Sequence, residues 1–254
     1  PMYEQVVKIL DDEICKSLVI TNDSDQASCC EADEVIVGGH PVPDANSLKA
    51  GKRTVTYYKE IPEHAIVLCL ISGGASSLLT LPAEGIVIDE LSKLFELLNN
   101  SGATIEEINT VRKHCSQIKG GQLLRHLDPT VTLFDLAISD VPNDKLSIIG
   151  SGPTIPDTST YQEANDILLK YNLLDKVAES ITVHIQKGRA GEALETIKPD
   201  QDPITNHYST VISSGWKLIQ SIGALAKEQG IAVRLFNKPF NADVEVVALS
   251  LVDK

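Results

Sequence analysis

The chain lacks any apolar run near the length of about 20 residues that a membrane helix needs. Its longest, Ala65-Ile-Val-Leu-Cys-Leu-Ile71, is the size of a buried strand. No basic flank leads into an apolar stretch at the N-terminus, so no signal peptide is read. Positive charge is also scarce: 22 Lys and Arg face 35 Asp and Glu, a net charge of -13. A general nucleic-acid binder needs the opposite balance, and the same repulsion weakens association with anionic membranes. An anionic small molecule stays open as a substrate, because a few local cations override a distant field. The five cysteines (Cys15, Cys29, Cys30, Cys69 and Cys115) are odd in number and contain no CxxC. That usage fits reduced thiols in a cytoplasmic protein.

What the 254 residues do contain is an alternation of strands and helices. Apolar spacing predicts a helix over 2–14, a strand over 17–21, polar loop over 22–33 and a strand over 34–37. Asp44 caps a helix to about residue 59, and a strand follows at 65–71. Helices are expected over 87–100 and over 104–116, the second opened by the capping box Thr104-Ile-Glu-Glu107. A helical stretch after Gly120-Gly121, a strand over 130–139 and helices over 160–171 and 175–188 come next. A polar segment at 199–207 reads as a linker, before a strand at 209–213, a helix at 216–229, a strand at 231–236 and a helix at 242–252. The pattern implies an α/β fold: a Rossmann-like parallel sheet with helices on both faces, in three α/β/α layers. The expected division is 1–200 for this domain and 205–254 for a continuation.

Ligands of such sheets bind beyond the carboxyl ends of the strands, and four segments stand there. In Gly38-Gly-His-Pro-Val-Pro-Asp44, His40 either contacts ligand or hydrogen-bonds the loop. Ser72-Gly-Gly-Ala-Ser-Ser77 offers small residues and amides at a helix start, suited to phosphate or carboxylate through Ser72, Gly73, Gly74 and Ser76. It has no GK[ST], no GxGxxG and no GxSxG. On the helix after Thr104, Glu107 and Arg112, together with Lys119 beyond it, are candidates to neutralise a substrate anion or to position one another. Asn109 marks a polar ligand or a buried network. In Ser139-Asp-Val-Pro-Asn-Asp144, Asp140 ends a buried strand, where a carboxylate is costly unless paired or metal-bound. Asp140 and Asp144 together suit magnesium, which takes one or two carboxylates plus phosphates. Ser151 and Thr154 of Gly150-Ser-Gly-Pro-Thr154 offer a further anion contact or simply build a loop.

Seven of these segments occur in register: Gly39-His-Pro-Val-Pro-Asp44, Ile71-Ser-Gly-Gly-Ala-Ser76, Ser101-Gly-Ala-Thr-Ile105, Glu107-Ile-Asn-Thr-Val-Arg112, Lys119-Gly-Gly121, Ser139-Asp-Val-Pro142 and Ser151-Gly-Pro-Thr154. Together they closely resemble the glycerate 2-kinase family that carries a C-terminal MOFRL domain, some members of which bear the label hydroxypyruvate reductase. The resemblance implies a two-domain α/β protein that phosphorylates D-glycerate at its 2-hydroxyl with ATP and Mg2+. It implies that Ser72, Gly73 and Gly74 cradle an anionic group and that Arg112 and Lys119 neutralise carboxylate or phosphate. Asp140 would then hold the metal or accept the hydroxyl proton, with Asp144 assisting through water. Asn143 stands where the family usually has glycine, and Gln122 where arginine is common. The family's lysine-bearing GxGKA-like segment and its C-terminal domain have no counterpart in these residues, so a middle portion of a longer protein is expected. An inactive ligand-binding or assembly domain is the second reading. A hydroxypyruvate reductase is the third, weakened by the absence of GxGxxG. The expected partner is glycerate, and a homo-oligomer is compatible with the sequence.

Overall fold

The computed structural model describes residues 2–235 and residue 248. Five strands and nine α-helices are found among them. The strands form two hydrogen-bonded parallel sets rather than one continuous sheet. β1 (Leu18–Thr21) pairs with β2 (Glu34–Val37). β3 (Ile66–Ile71), β4 (Thr132–Ser139) and β5 (Asn206–Ser214) form the other set in the order β3-β4-β5. The fold is α/β, with parallel sheets flanked by helices, as the alternation implied.

Helix starts follow local chemistry. α1 (Met2–Leu10) precedes β1, and α2 (Ser24–Ser28) lies inside the stretch expected to be loop. Asp23 makes that helix, accepting from the amides of Asp25 and Gln26. Asp44 caps α3 (Ala45–Lys59), taking the Ser47 amide at 2.8 Å and the Gly39 amide at 3.1 Å. α4 (Ala75–Leu78) is a single turn, and α5 (Ile88–Asn100) follows it. Thr104 and Glu107 close the expected capping box on α6 (Ile105–His114). α7 (Tyr161–Lys170), α8 (Glu179–Arg189) and α9 (Gly215–Glu228) complete the set. Gly120-Gly121 leads into a 3-10 turn, Gln122–His126. Residues 231–235 form no strand, and the helix expected over 242–252 falls almost wholly outside the described residues.

The core has three parts. α5, α6, α7 and α8 bury Leu91, Leu94, Leu98, Val111, Leu168 and Ile181 against one another. A second cluster, with Tyr58, Leu124 and Leu133, lies between α3 and β4, and a third joins Ile71, Ala137 and Ile149. The β3–β4 register sets Ile71 beside Ala137, so both chains leave the sheet at one edge. β4 alternates half-buried and buried residues along its length. β5 begins at Asn206, inside the segment read as a linker, and pairs with β4 along its whole length, with a bulge after Ala137.

Candidate functional site

At that edge Ile71 gives way to Ser72-Gly-Gly74, and Gly74 adopts φ +85 to turn the chain into α4. Only glycine enters this region freely. A methyl on Gly73 would run into the Asp140 carboxylate, 3.1 Å from its Cγ. A methyl on Gly74 would lie 2.9 Å from Cδ2 of His40. His40, Gly73, Gly74 and Asp140 therefore converge from three separate chain segments. Among the described residues, the amides of Gly73 and Gly74 donate to nothing. Because α4 is only one turn long, it contributes little helix dipole, and the free donors here are loop amides.

Asp140 is exposed, which corrects the expectation of a costly buried carboxylate. The strand ends one residue earlier, at Ser139, and water reaches the side chain that follows. No described residue hydrogen-bonds its carboxylate. The next turn holds Asn143 at φ +63 and Asp144 at φ +52, so asparagine does stand in a left-handed position. Asp144 is half-buried, and no group of three metal-ligating side chains forms among the described residues.

Behind the loop, four candidates meet in one buried chain. Lys119 Nζ donates to the carbonyls of Ser76 (2.6 Å) and Leu79 (3.2 Å) and to Ser76 Oγ (3.5 Å). Ser76 Oγ lies 2.8 Å from Ser151 Oγ, which donates to Asn109 Oδ1 at 2.6 Å. Asn109, the open case, is thus a buried network residue. Burial, and secondarily the charge of Arg112, pull Lys119 down to about 7. Ser151, φ +63, and Lys119 are buried, at 0% and 1% exposure, which for Ser151 is the loop-building alternative and for Lys119 places its ammonium behind the loop rather than on an open face. Their polar atoms instead shape the loop from within.

Arg112 differs. Its guanidinium packs 4.5 Å from the centre of the Phe95 ring, and its buried Nε has no partner. No carboxylate of a described residue pairs with it, and burial lowers its pKa. Arg112 is thus a half-buried cation with no described carboxylate partner, in a chain of net charge -13.

Glu107 and Thr154 are not brought to the site. Glu107 caps α6 and binds Lys170 (2.6 Å) and Tyr171 Oη (2.8 Å). The Lys170 bond above all holds it at about 2. Thr154, 0% exposed, donates to Asp135 at 2.8 Å. Asp135 also meets His207 Nε2 (2.6 Å) and Ser209 Oγ (2.8 Å). Gln122, in place of the commoner arginine, donates to the carbonyls of Ser116 (2.6 Å) and Lys119 (3.1 Å). The buried pair Lys113–Asp157 (3.0 Å) has no counterpart in the sequence reading. Its signal was position: Lys113 follows Asn109 by four residues and shares its helix face. Two surface depressions lie elsewhere: about 580 Å3 beside Arg53 and Lys49, and about 340 Å3 beside Glu107 and Lys170. The converging residues form an open edge instead.

Residues 1–186 match the family described as "Domain of unknown function (DUF4147)". The chain is 38% identical over 216 residues to a glycerate 2-kinase of Pyrococcus horikoshii, spanning 85% of this chain and 48% of that protein. It is 36% identical over 248 residues to a D-glycerate 2-kinase of Thermotoga maritima, spanning 98% and 54%. The crystal structure of a glycerate kinase from that organism superposes with a TM-score of 0.77 at 37% identity, covering 90% of this chain and 52% of that one. A protein of Agrobacterium vitis that carries a hydroxypyruvate reductase name is 40% identical over 167 residues, spanning 65% and 38%. The chain thus spans about half the length of the first two relatives.

Proposed function

The chain belongs to the DUF4147 family, and from that membership we propose that it carries the N-terminal, Rossmann-like part of an ATP-dependent glycerate 2-kinase. In this reading residues 1–200 form the domain proper and 205–254 its continuation toward a C-terminal domain, as the resemblance implied. The observation that carries the reading is the meeting of free Gly73 and Gly74 amides with the unpartnered Asp140 carboxylate at paired strand ends. Its relatives named glycerate kinases support the substrate.

Phosphoryl transfer asks a protein mainly for positioning and for neutralisation of charge. The Gly73 and Gly74 amides would receive an anionic oxygen of substrate or nucleotide, with Ser72 at the mouth of the loop. His40 packs over Gly74 and bounds that position. Arg112 would neutralise a carboxylate or phosphate. Asp140 would accept the proton of the glycerate 2-hydroxyl as its oxygen bonds the γ-phosphorus and the bond to ADP breaks. The exposed, unpartnered Asp140 also fits a Mg2+ site, since this cation needs only one or two carboxylates when phosphates supply the rest. Asp144, one turn on, would contribute through water. Bound there, Mg2+ would supply charge neutralisation between phosphates. The free cysteines support a cytoplasmic setting.

The test is to incubate the full-length protein with D-glycerate, ATP and MgCl2 and follow phosphorus NMR. The expected outcome is ADP with 2-phosphoglycerate. ADP with 3-phosphoglycerate overturns the position of transfer. Binding of glycerate without turnover supports the inactive ligand-binding reading. The Agrobacterium name supports a hydroxypyruvate reductase, which a parallel incubation with hydroxypyruvate and NADH detects.

A further inference from the structure

Counting protons along the buried chain behind the loop fixes its direction. Asn109 spends Nδ2 on the Ile105 carbonyl (2.9 Å), leaving Oδ1 to accept. Ser151 gives its one proton to that oxygen. The Ser76–Ser151 bond must then use the proton of Ser76. Ser76 Oγ is left to accept from Lys119 Nζ, which also faces the carbonyls of Ser76 and Leu79. Three acceptors meet three donors, which an ammonium has and a neutral amine lacks.

The groups facing Lys119 are few. From α6 the positive charge of Arg112 acts on it. The 75–79 segment brings two carbonyls and one hydroxyl, linked on to Ser151 of the 149–151 turn. Among the described residues, no carboxylate pairs with it. This ammonium is thus buried with no described counter-ion, and it feels the charge of Arg112, whose buried Nε has no hydrogen-bond partner.

We propose that Lys119 is the positioning residue of the site: its ammonium locks the 72–79 segment, and an anionic ligand seated on Arg112 draws a proton onto it from water. The proposal rests on the glycerate kinase reading for the identity of that anion. Burial first, and the charge of Arg112 second, pull Lys119 down to about 7, so that burial opposes the charge its three acceptors call for. A carboxylate on Arg112 cancels the neighbouring repulsion and raises that value. The clamp then gains its third donor as the ligand arrives. By linkage, lower pH tightens ligand binding by the same coupling.

Calorimetry of D-glycerate binding to the full-length protein at pH 7.5, repeated in buffers of different ionisation enthalpy, counts the protons taken up. About half a proton per glycerate is expected for a group moved by roughly one pH unit across this range. Lys119→Met should bind glycerate with that uptake abolished. Carbon-13 NMR of the lysine Cε atoms reads the same event in the unaltered protein: one lysine titrates near neutrality and shifts upward on saturation with glycerate. Binding without proton uptake, uptake unchanged in Lys119→Met, or no lysine titrating near neutrality overturns the proposal alone. Failure of glycerate to bind at all overturns the glycerate kinase reading together with it.

Discussion

Gly73→Ala separates the chemistry of the site from the stability of the fold. Gly73 lies outside the left-handed region, so its backbone accepts alanine. The new methyl would lie 3.1 Å from Cγ and 3.7 Å from Cβ of Asp140, and closer still to Oδ2. Carbon atoms prefer about 3.5–4.0 Å, so the carboxylate must swing away. Asp140 is exposed and has no described partner to hold it. The swing therefore costs no more than an off-rotamer side chain, about 0.5–1.5 kcal/mol. Displacement of a reacting group by about 1 Å costs on the order of 100-fold in rate. Steady-state kinetics with D-glycerate and ATP should show kcat/KM falling by about two orders of magnitude, roughly 2.7 kcal/mol of lost transition-state stabilisation. Urea unfolding should move by less than about 1.5 kcal/mol. A variant with wild-type kcat/KM would refute the reasoning, because the placement of Asp140 against the loop would then be irrelevant.

Other residues give independent checks. Lys113→Met strands the buried Asp157 carboxylate and should cost about 3–5 kcal/mol in urea unfolding; adding Asp157→Leu should recover most of that loss. Ser151→Ala leaves Asn109 Oδ1 without its donor, a loss of about 1–3 kcal/mol, whereas Ser151→Gly should cost less because glycine relieves the φ of +63. Glu107 is held at about 2 chiefly by Lys170, below its ordinary 4.5. Its contribution is complete above about 4.5 and is lost as pH falls toward 2. Glu107→Gln should therefore flatten part of the acid limb of stability against pH.

Local features were legible because their causes are local. Asp44 and the Thr104–Glu107 box act on amides three residues away, and both caps form. The meeting of the loops after β3 and β4 was legible because parallel strands deliver their ends to one edge. The same rule put Thr154 and Glu107 in that site, but their partners are distant in sequence. Thr154 answers to Asp135 on β4, and Glu107 to Lys170 on α7, 63 residues on. No spacing signals such a choice. α2 was hidden by its polarity, although Asp23 followed by Ser24 and Asp25 is a capping signal that could have exposed it. Asp140 is the first residue past the last β4–β5 pair, Ser139 with Ser214, and where such pairing stops depends on a partner strand distant in sequence.

In the proposed kinase, Asp140, held against the Gly73–Gly74 turn, acts on the transferring phosphoryl group. Turnover of D-glycerate by Asp140→Ala in the full-length protein tests it most directly. The expected result is loss of kcat by at least about 100-fold, with urea unfolding unchanged because this exposed side chain supports no other described group. Near-normal turnover by a folded Asp140→Ala protein would contradict it.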